Sequence, residues 1–442
     1  MNPELQRNLW LEVAPRRVVF MLVVLGLIFL AARTVGGTPA LRLAAEYAFY
    51  AIAVIWGARN AAQSVVGEIR ERTWDSQRLG ALTPFAMTWG KLFGATSFAW
   101  LGGAACLAVL VGIAFVAEGI VGVFSDLCYF LCMGLMAQAV ALFASLIAVR
   151  RRQGHSRLDV LFYQMAGLAA AWAVWFAWQF ISSPEASSLR ADFTWWAIAL
   201  DIGVFYLVSL FLFLGWAFIG CYRLMRAELQ VQNSPAVWTA FILFMAVYTA
   251  GFDSGTLVEA DWFAGDAAGR LRLAAAALAA LTYAAALFEP KDLVLYRWLA
   301  DALARSRLRE ALPRLQGWMI AYGATALAVL SYVLLRAGDS SGPAMLSALG
   351  FLTRDIAIFF LFQLLPGRRR GEVPALVTLA VLYGILPQLG GVPPLDNPVF
   401  YPVPAGWYGS LIAWLQAGAI WGAIVALERR RSPRGAIRGA ER

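Results

Sequence analysis

Apolar residues run in long blocks along the chain, and the charged residues are gathered between them. Twelve blocks approach or reach the length that crosses the ~30 Å hydrocarbon core of a bilayer as a helix. They are Val18–Ala32, Leu43–Ala58, Leu92–Ala117, Leu127–Val149, Leu161–Ile181, Trp195–Cys221, Ala236–Phe252, Leu273–Phe288, Met319–Leu335, Met345–Leu365, Leu376–Val392 and Leu411–Leu427. The second is short unless it extends towards Ser64. Hydrocarbon offers no water to the backbone, so such blocks are expected to be helical. The pattern predicts an all-α polytopic membrane protein of about twelve transmembrane helices.

Two polar stretches break this alternation with helical spacing of their own. At the start, Asn2 can cap a helix whose first position is Pro3. Leu5, Leu9 and Val13 then recur every four residues, as in a helix lying in the membrane interface. Between the second and third blocks lies Gly67–Ala95, GEIRERTWDSQRLGALTPFAMTWGKLFGA. Glu68, Glu71 and Asp75 are spaced by three and four, Leu79 and Leu82 continue that register, and Trp74, Arg78 and Ala81 line the neighbouring face. This predicts one amphipathic helix ending before Pro84, because a residue preceding proline is driven out of the helical well.

Composition adds direction. Of 442 residues 61% are hydrophobic and 14% charged, about half the charge of an ordinary soluble domain. With the N-terminus inside, 29 of the 36 Lys and Arg fall in inside loops and 6 in outside loops, with Arg354 inside a span. A single miscounted span would scramble that ratio, so it predicts cytoplasmic termini and an even number of crossings. The net charge of +9 is this bias spread over seven loops and does not point to nucleic acid. The first block reads as a retained span rather than a cleaved leader. Arginine outnumbers lysine 34 to 2, as in a high-GC bacterial genome, and the inner membrane is the expected location.

The chain divides near Gln232–Pro235 into halves of six blocks, 1–233 and 234–442. Each half carries a long inside insert between its second and third blocks, Gly67–Lys91 and Pro290–Gln316, a placement that would follow from an old parallel duplication. The Pro-rich loop Pro393–Tyr408 is expected outside, with Phe400, Tyr401, Trp407 and Tyr408 at headgroup level.

Charge inside a span is expensive and marks candidate sites. Arg354 and Asp355 lie near a bilayer midplane, while Asp201 and Glu46 lie nearer the outer side. An interhelical contact that fixes packing is the plainer reading of all four. Gln138, Gln164 and Gln363 read as packing amides. Cys106, Cys128, Cys132 and Cys221 all fall in blocks, so they read as small apolar fillers; Cys128 and Cys132 share a helix face that could hold a soft metal. His155 is the single histidine and sits among arginines. Lys91 (TWGKLF) and Lys291 (EPKDL) are the only lysines, and neither stands in a Gly-rich loop followed by Ser or Thr, so this chain lacks a Walker-type ATP site. No catalytic constellation is evident.

The insert resembles the coupling-helix region of type 2 ABC exporter permeases. Glu71-Arg72-Thr73-Trp74-Asp75, then Leu79, Leu82-Thr83-Pro84 and Gly90-Lys91, carry the likeness in order, spacing and topological position. Asn2-Pro3 and Arg7 resemble that family's N-terminal interfacial helix, and the likeness covers roughly Met1–Asn233. It departs from the family where Arg72 replaces the usual Gly before the Thr, and in having twelve blocks where six per chain is common. The resemblance implies a permease half at 1–233 (coupling helix about 67–91) and a transport subunit that is not itself an enzyme. A separate ABC ATPase would bind ATP and Mg and dock on Glu68, Glu71, Arg72, Thr73, Trp74, Asp75, Arg78, Leu82 and Pro84. Membrane lipids and a second permease copy are the other partners it implies, and the 234–442 half has no counterpart beyond a degenerate repeat. The alternatives are a twelve-span secondary transporter of the major facilitator type and a polytopic membrane enzyme. The first lacks its G-x-x-x-D-R-x-G-R loop here, and the second lacks an acid–base or metal cluster.

Overall fold

The computed structural model describes residues 2–80, 82–150, 157–183, 193–252, 266–289, 291, 293–339, 341–364, 371–389, 397–403 and 405–431. His155 and part of the Pro-rich loop lie outside them. Among the described residues, eight helices are long and apolar enough to cross a membrane, and two shorter apolar helices, Ala236–Ala250 and Val373–Gln388, accompany them. The chain forms two compact units. The first is Met1–Phe193 with Leu200–Asn233, and the second is Thr194–Ala199 with Ser234–Arg442.

In the first unit, α1 (Pro3–Glu12) begins as its sequence dictates, with the Asn2 side chain accepting from the amides of Glu4 and Leu5 and Pro3 in the first turn. Next come α2 (Pro15–Phe49), a π-helical turn (Tyr50–Trp56) and α3 (Gly57–Arg70), which together form one helical run of 56 residues. After the insert, α6 (Ser97–Arg150) has 54 residues. At 1.5 Å per residue each run is about 80 Å long, far beyond one bilayer core. Each is broken by a glycine in the same conformation, Gly37 (φ 67, ψ −153) and Gly119 (φ 68, ψ −152). A Cβ would be strained at that positive φ. Each glycine falls 22 residues after its helix begins (15 to 37, 97 to 119), about 33 Å along it.

The unit is completed by α7 (Arg157–Ser182) and α8 (Ile202–Glu228). The expected helical block at Trp195 starts later than its hydrophobicity suggests. Thr194–Trp195 and Ile198–Ala199 form a two-stranded hairpin, turned through Trp196 and Ala197 at positive φ. The core runs through Phe49, Ala53, Phe130, Met133, Leu142 and Met225. Phe20, Leu27 and Leu30 stand more than half exposed along α2. Such a face would drive aggregation in water and is the ordinary outer surface in lipid.

The second unit contains α9 (Ala236–Ala250), α10 (Ala267–Phe288), α11 (Leu293–Ala304), α12 (Leu308–Ala311), α13 (Gly317–Leu335), α14 (Ser341–Leu364), α15 (Glu372–Ala380) and α16 (Gly406–Arg431). Helix α14 is its centre: 67% of its most apolar stretch is buried, against 33% or less in every other spanning helix.

Candidate functional site

The expected single helix over the insert is interrupted. Helix α3 ends at Arg70, and the chain makes a left-handed turn at Arg72 (φ 60). The Arg72 amide donates to the Ile69 carbonyl (3.2 Å) and the Thr73 amide to the Glu68 carbonyl (2.9 Å). This pair of bonds is the Schellman ending of a helix, whose left-handed residue is ordinarily glycine. The Thr73 hydroxyl also donates to the Glu68 carbonyl, at 3.2 Å. Two short helices follow, α4 (Trp74–Arg78) and α5 (Pro84–Trp89). Thr83 caps α5 by accepting from the Ala86 amide (3.2 Å), with Pro84 in the first turn. Glu71 and Asp75 are therefore on different elements and do not share a helix face. The period of three and four was real, but the helix-ending hydrogen bonds won at residues 71–73. The second unit's insert ends α11 the same way, with Ser306 at φ 56 and the Arg307 amide donating to the Ala302 carbonyl (2.8 Å).

Under this turn lies a buried ionic hub. Lys91 is fully buried, and the three hydrogens of its Nζ are shared among four acceptors, Glu4 Oε1 (3.3 Å), the Ser64 carbonyl (3.2 Å), Gln77 Oε1 (3.3 Å) and Glu68 Oε2. Glu4 is 3% exposed. Arg7 donates to Glu4 (3.0 Å) and to Glu68, and Gln77 Nε2 donates to Glu68 (2.7 Å). Two cations thus meet two carboxylates, which leaves no net charge to desolvate. Burial pulls the Arg7 pKa down, but the Glu68 hydrogen bond and the two carboxylates more than reverse it, and it ends above its ordinary value. The indole of Trp74, itself 5% exposed, lies over Lys91 with 5.3 Å from Nζ to the ring centre.

The hub fastens α1 to the insert. Asn2 Nδ2 donates to the Ala86 carbonyl (2.6 Å) and Asn8 Nδ2 to the Gly90 carbonyl (3.3 Å). A Cβ at Gly90 would stand 2.6 Å from that of Glu4, and one at Gly94 would stand 2.7 Å from that of Asn8. Two glycines at this spacing are what lets the backbones approach. Leu82 packs on the core of the unit. Glu68, expected at the docking surface, is instead committed to the hub, and Trp74 is its lid. The exposed tip consists of Glu71, Arg72, Thr73, Asp75 and Leu79, with Arg78 half-buried 3.7 Å from Asp75.

The intramembrane candidates separate by environment. Asp201 is the N-cap of α8, accepting from the Val204 amide at 2.9 Å, and lies outside the helix rather than within a span. Glu46 pairs with Arg42 (3.0 Å), whose guanidinium also holds both oxygens of Asp126 (3.2 and 3.0 Å), joining α2 to α6 beyond their glycine breaks. Gln138 and Gln164 are packing amides. They donate to the Ala53 (2.9 Å) and Ile55 (3.0 Å) carbonyls in the π-helical turn, where the widened backbone needs side-chain donors.

Arg354 and Asp355, each 1% exposed, do pair with each other. Arg354 Nε donates to Asp355 Oδ1 (2.9 Å) and Nη1 to Gln416 Oε1 (2.7 Å). Tyr283 and Tyr383 both donate to Asp355 Oδ2, each at 2.7 Å. Nη2 lies 2.9 Å from Oδ1 but is not aligned to donate to it, and has no hydrogen-bond partner.

All four cysteines are free and buried, and among the described residues no group of three His, Cys, Asp or Glu could hold a metal ion. Lys91, Glu4, Arg42, Asp126, Gln416, Tyr283 and Tyr383 were not singled out in the sequence as ionic or hydrogen-bonding partners. One signal was available: a chain with two lysines has placed one of them at the mouth of an apolar block.

Fold and site together define a multi-pass helical membrane protein whose N-terminal helix is locked by buried charge to a structured insert. No protein-family model matches the chain, and neither a curated protein nor a solved structure matches it.

Proposed function

We propose that this chain is the transmembrane permease subunit of an ATP-driven ABC exporter, powered by a separate ATPase that docks on the exposed tip of the insert. The observation that carries the reading is the mounting of that tip. Glu71, Arg72, Thr73, Asp75 and Leu79 are exposed, yet the turn bearing them is bolted through Lys91, Glu4 and Glu68 to α1 and α3. A rigid, charged projection coupled to a helix that continues towards the membrane can transmit a push. Arg72 supports the family resemblance in a second way, since it holds the left-handed conformation that the family's usual glycine would adopt without strain.

On this reading Gly37 and Gly119 each divide a long helical run into two crossings, which with the two shorter apolar helices gives twelve. The termini are cytoplasmic, the membrane is the bacterial inner membrane, ATP and Mg reside on the partner, and lipids and a second permease copy complete the surroundings.

A second reading, a twelve-span secondary transporter, draws on the buried Arg354–Asp355 pair, a kind of group found along solute and proton pathways. Affinity purification of the full chain from native membranes, in detergent that preserves other ABC complexes, separates the two. Recovery of a polypeptide with a Walker-type ATP loop is the expected result. Recovery of none, with solute movement by the purified chain in vesicles lacking ATP, favours the second.

A further inference from the structure

We propose that Arg354 is a binding residue for a small carboxylate ligand, received at Nη2, and that the ligand enters together with one proton, which goes to Asp355. The assignment concerns the second unit alone and stands whether or not an ATPase docks on the first.

A pair kept only for packing would satisfy itself. This one does not: Nε and Nη2 both converge on Asp355 Oδ1, and Nη2 is left without a hydrogen bond at a residue that is 1% exposed. Asp355 cannot swing round to complete the fork, because Tyr283 and Tyr383 hold its other oxygen. The guanidinium lies against two aromatic rings, with its carbon 4.7 Å from the centre of Phe351 and 5.1 Å from that of Tyr383. Arginine's planar fork is matched to a carboxylate, and the ring walls favour a flat, partly apolar one.

Access has a hinge. Gln416 accepts from Arg354 Nη1 with one end of its amide and donates to the Val399 carbonyl (3.0 Å) with the other. The Tyr401 hydroxyl donates to the Tyr383 carbonyl. Two hydrogen bonds thus tie the 397–403 loop to residues that touch the charge pair, and the ligand's entry is assigned to that side.

Charge balance requires a proton, taken from the surrounding water. Arg354 and Asp355 together are neutral, so an arriving carboxylate would leave one buried negative charge. Among the described residues, the titratable groups facing Asp355 are Arg354 on its own helix, Tyr283 on α10 and Tyr383 after α15; Tyr322 on α13 bonds Thr353 instead. Tyr283 and Tyr383 already donate, so the acceptor for an incoming proton is Asp355 Oδ1. Protonating it frees Nε and Nη2 of Arg354 to hold the ligand, and the occupied site is again neutral.

Benzoate is the probe, with neutral benzamide as its control. Titration of the purified full chain in lipid nanodiscs, by calorimetry in two buffers of different ionisation enthalpy, reads affinity and proton uptake together. Saturable benzoate binding is expected with about one proton taken up, tightening about tenfold per pH unit from about pH 8 to about pH 6, the slope of one linked proton. Benzamide should not bind. Asp355→Asn should keep binding and lose its pH dependence, and Arg354→Gln should lose binding. No saturable binding to the unmodified chain, binding without proton uptake, or equal binding in Arg354→Gln would each overturn the assignment. If Arg354→Gln fails to fold, the proton linkage of the unmodified chain and Asp355→Asn decide.

Discussion

At the scale of single residues, the chain's behaviour turns on charges placed where hydrophobicity alone would put Leu or Ala. Lys91 and Glu4 are buried as completely as the core around them, and their cost is met by each other, by Glu68 and by Arg7. Removing one member of a buried ion pair costs about 3–5 kcal/mol, because the partner stays behind unpaired. Lys91→Met should therefore loosen α1 more than it loosens the rest of the first unit. Hydrogen exchange should show the amides of Glu4–Glu12 opening about a hundredfold faster, the equivalent of ~3 kcal/mol. Exchange unchanged in α1 would mean that the hub does not fasten it. A second change, Glu68→Gln, made on that background should recover part of the loss, since it removes a carboxylate that no longer has Lys91 as its partner.

At the scale of elements, the insert shows what a sequence pattern can and cannot specify. The period at Glu68, Glu71 and Asp75 is helical, and α3 does extend to Arg70. What ends it is a pair of backbone hydrogen bonds and one left-handed residue, and nothing in the polarity of Arg72 announces that. The Asn2 cap and Pro3 were readable because cap chemistry is local, whereas Pro84 read as the end of one helix and with Thr83 begins the next. Glu4, by contrast, reads as a polar-face residue of an amphipathic helix, and its burial depends on Lys91, 87 positions away. The late start of α8 is a similar case: Trp195–Leu200 is apolar enough for a span, but Trp196 and Ala197 turn it into a hairpin and Asp201 caps the helix that follows. The long apolar helices were legible as hydrophobic blocks, whereas the sharp breaks at Gly37 and Gly119 rest on backbone angles that leave little trace in hydropathy.

Arg72 gives the element its sharpest test. A non-glycine residue in the left-handed region costs about 1–2 kcal/mol. Arg72→Gly should leave the thermal midpoint of the purified chain unchanged or raise it slightly, while Arg72→Val, branched at Cβ, should lower it and reduce the yield of folded protein. Equal behaviour of the two would mean that the Schellman turn does not form.

At the scale of the molecule, unit one carries the tip and its mounting, and unit two is organised around α14 with its buried charge pair. On the proposed function a separate ATPase meets the tip. Leu79, 89% exposed on that tip, is replaced by a photo-crosslinking amino acid in the full chain and illuminated in native membranes. Val116, 86% exposed three residues before the Gly119 break, carries the same group as a control. An adduct with a polypeptide bearing a Walker-type nucleotide loop is expected from Leu79, and none from Val116. No such adduct from Leu79, or the same adduct from both positions, would contradict the proposed function.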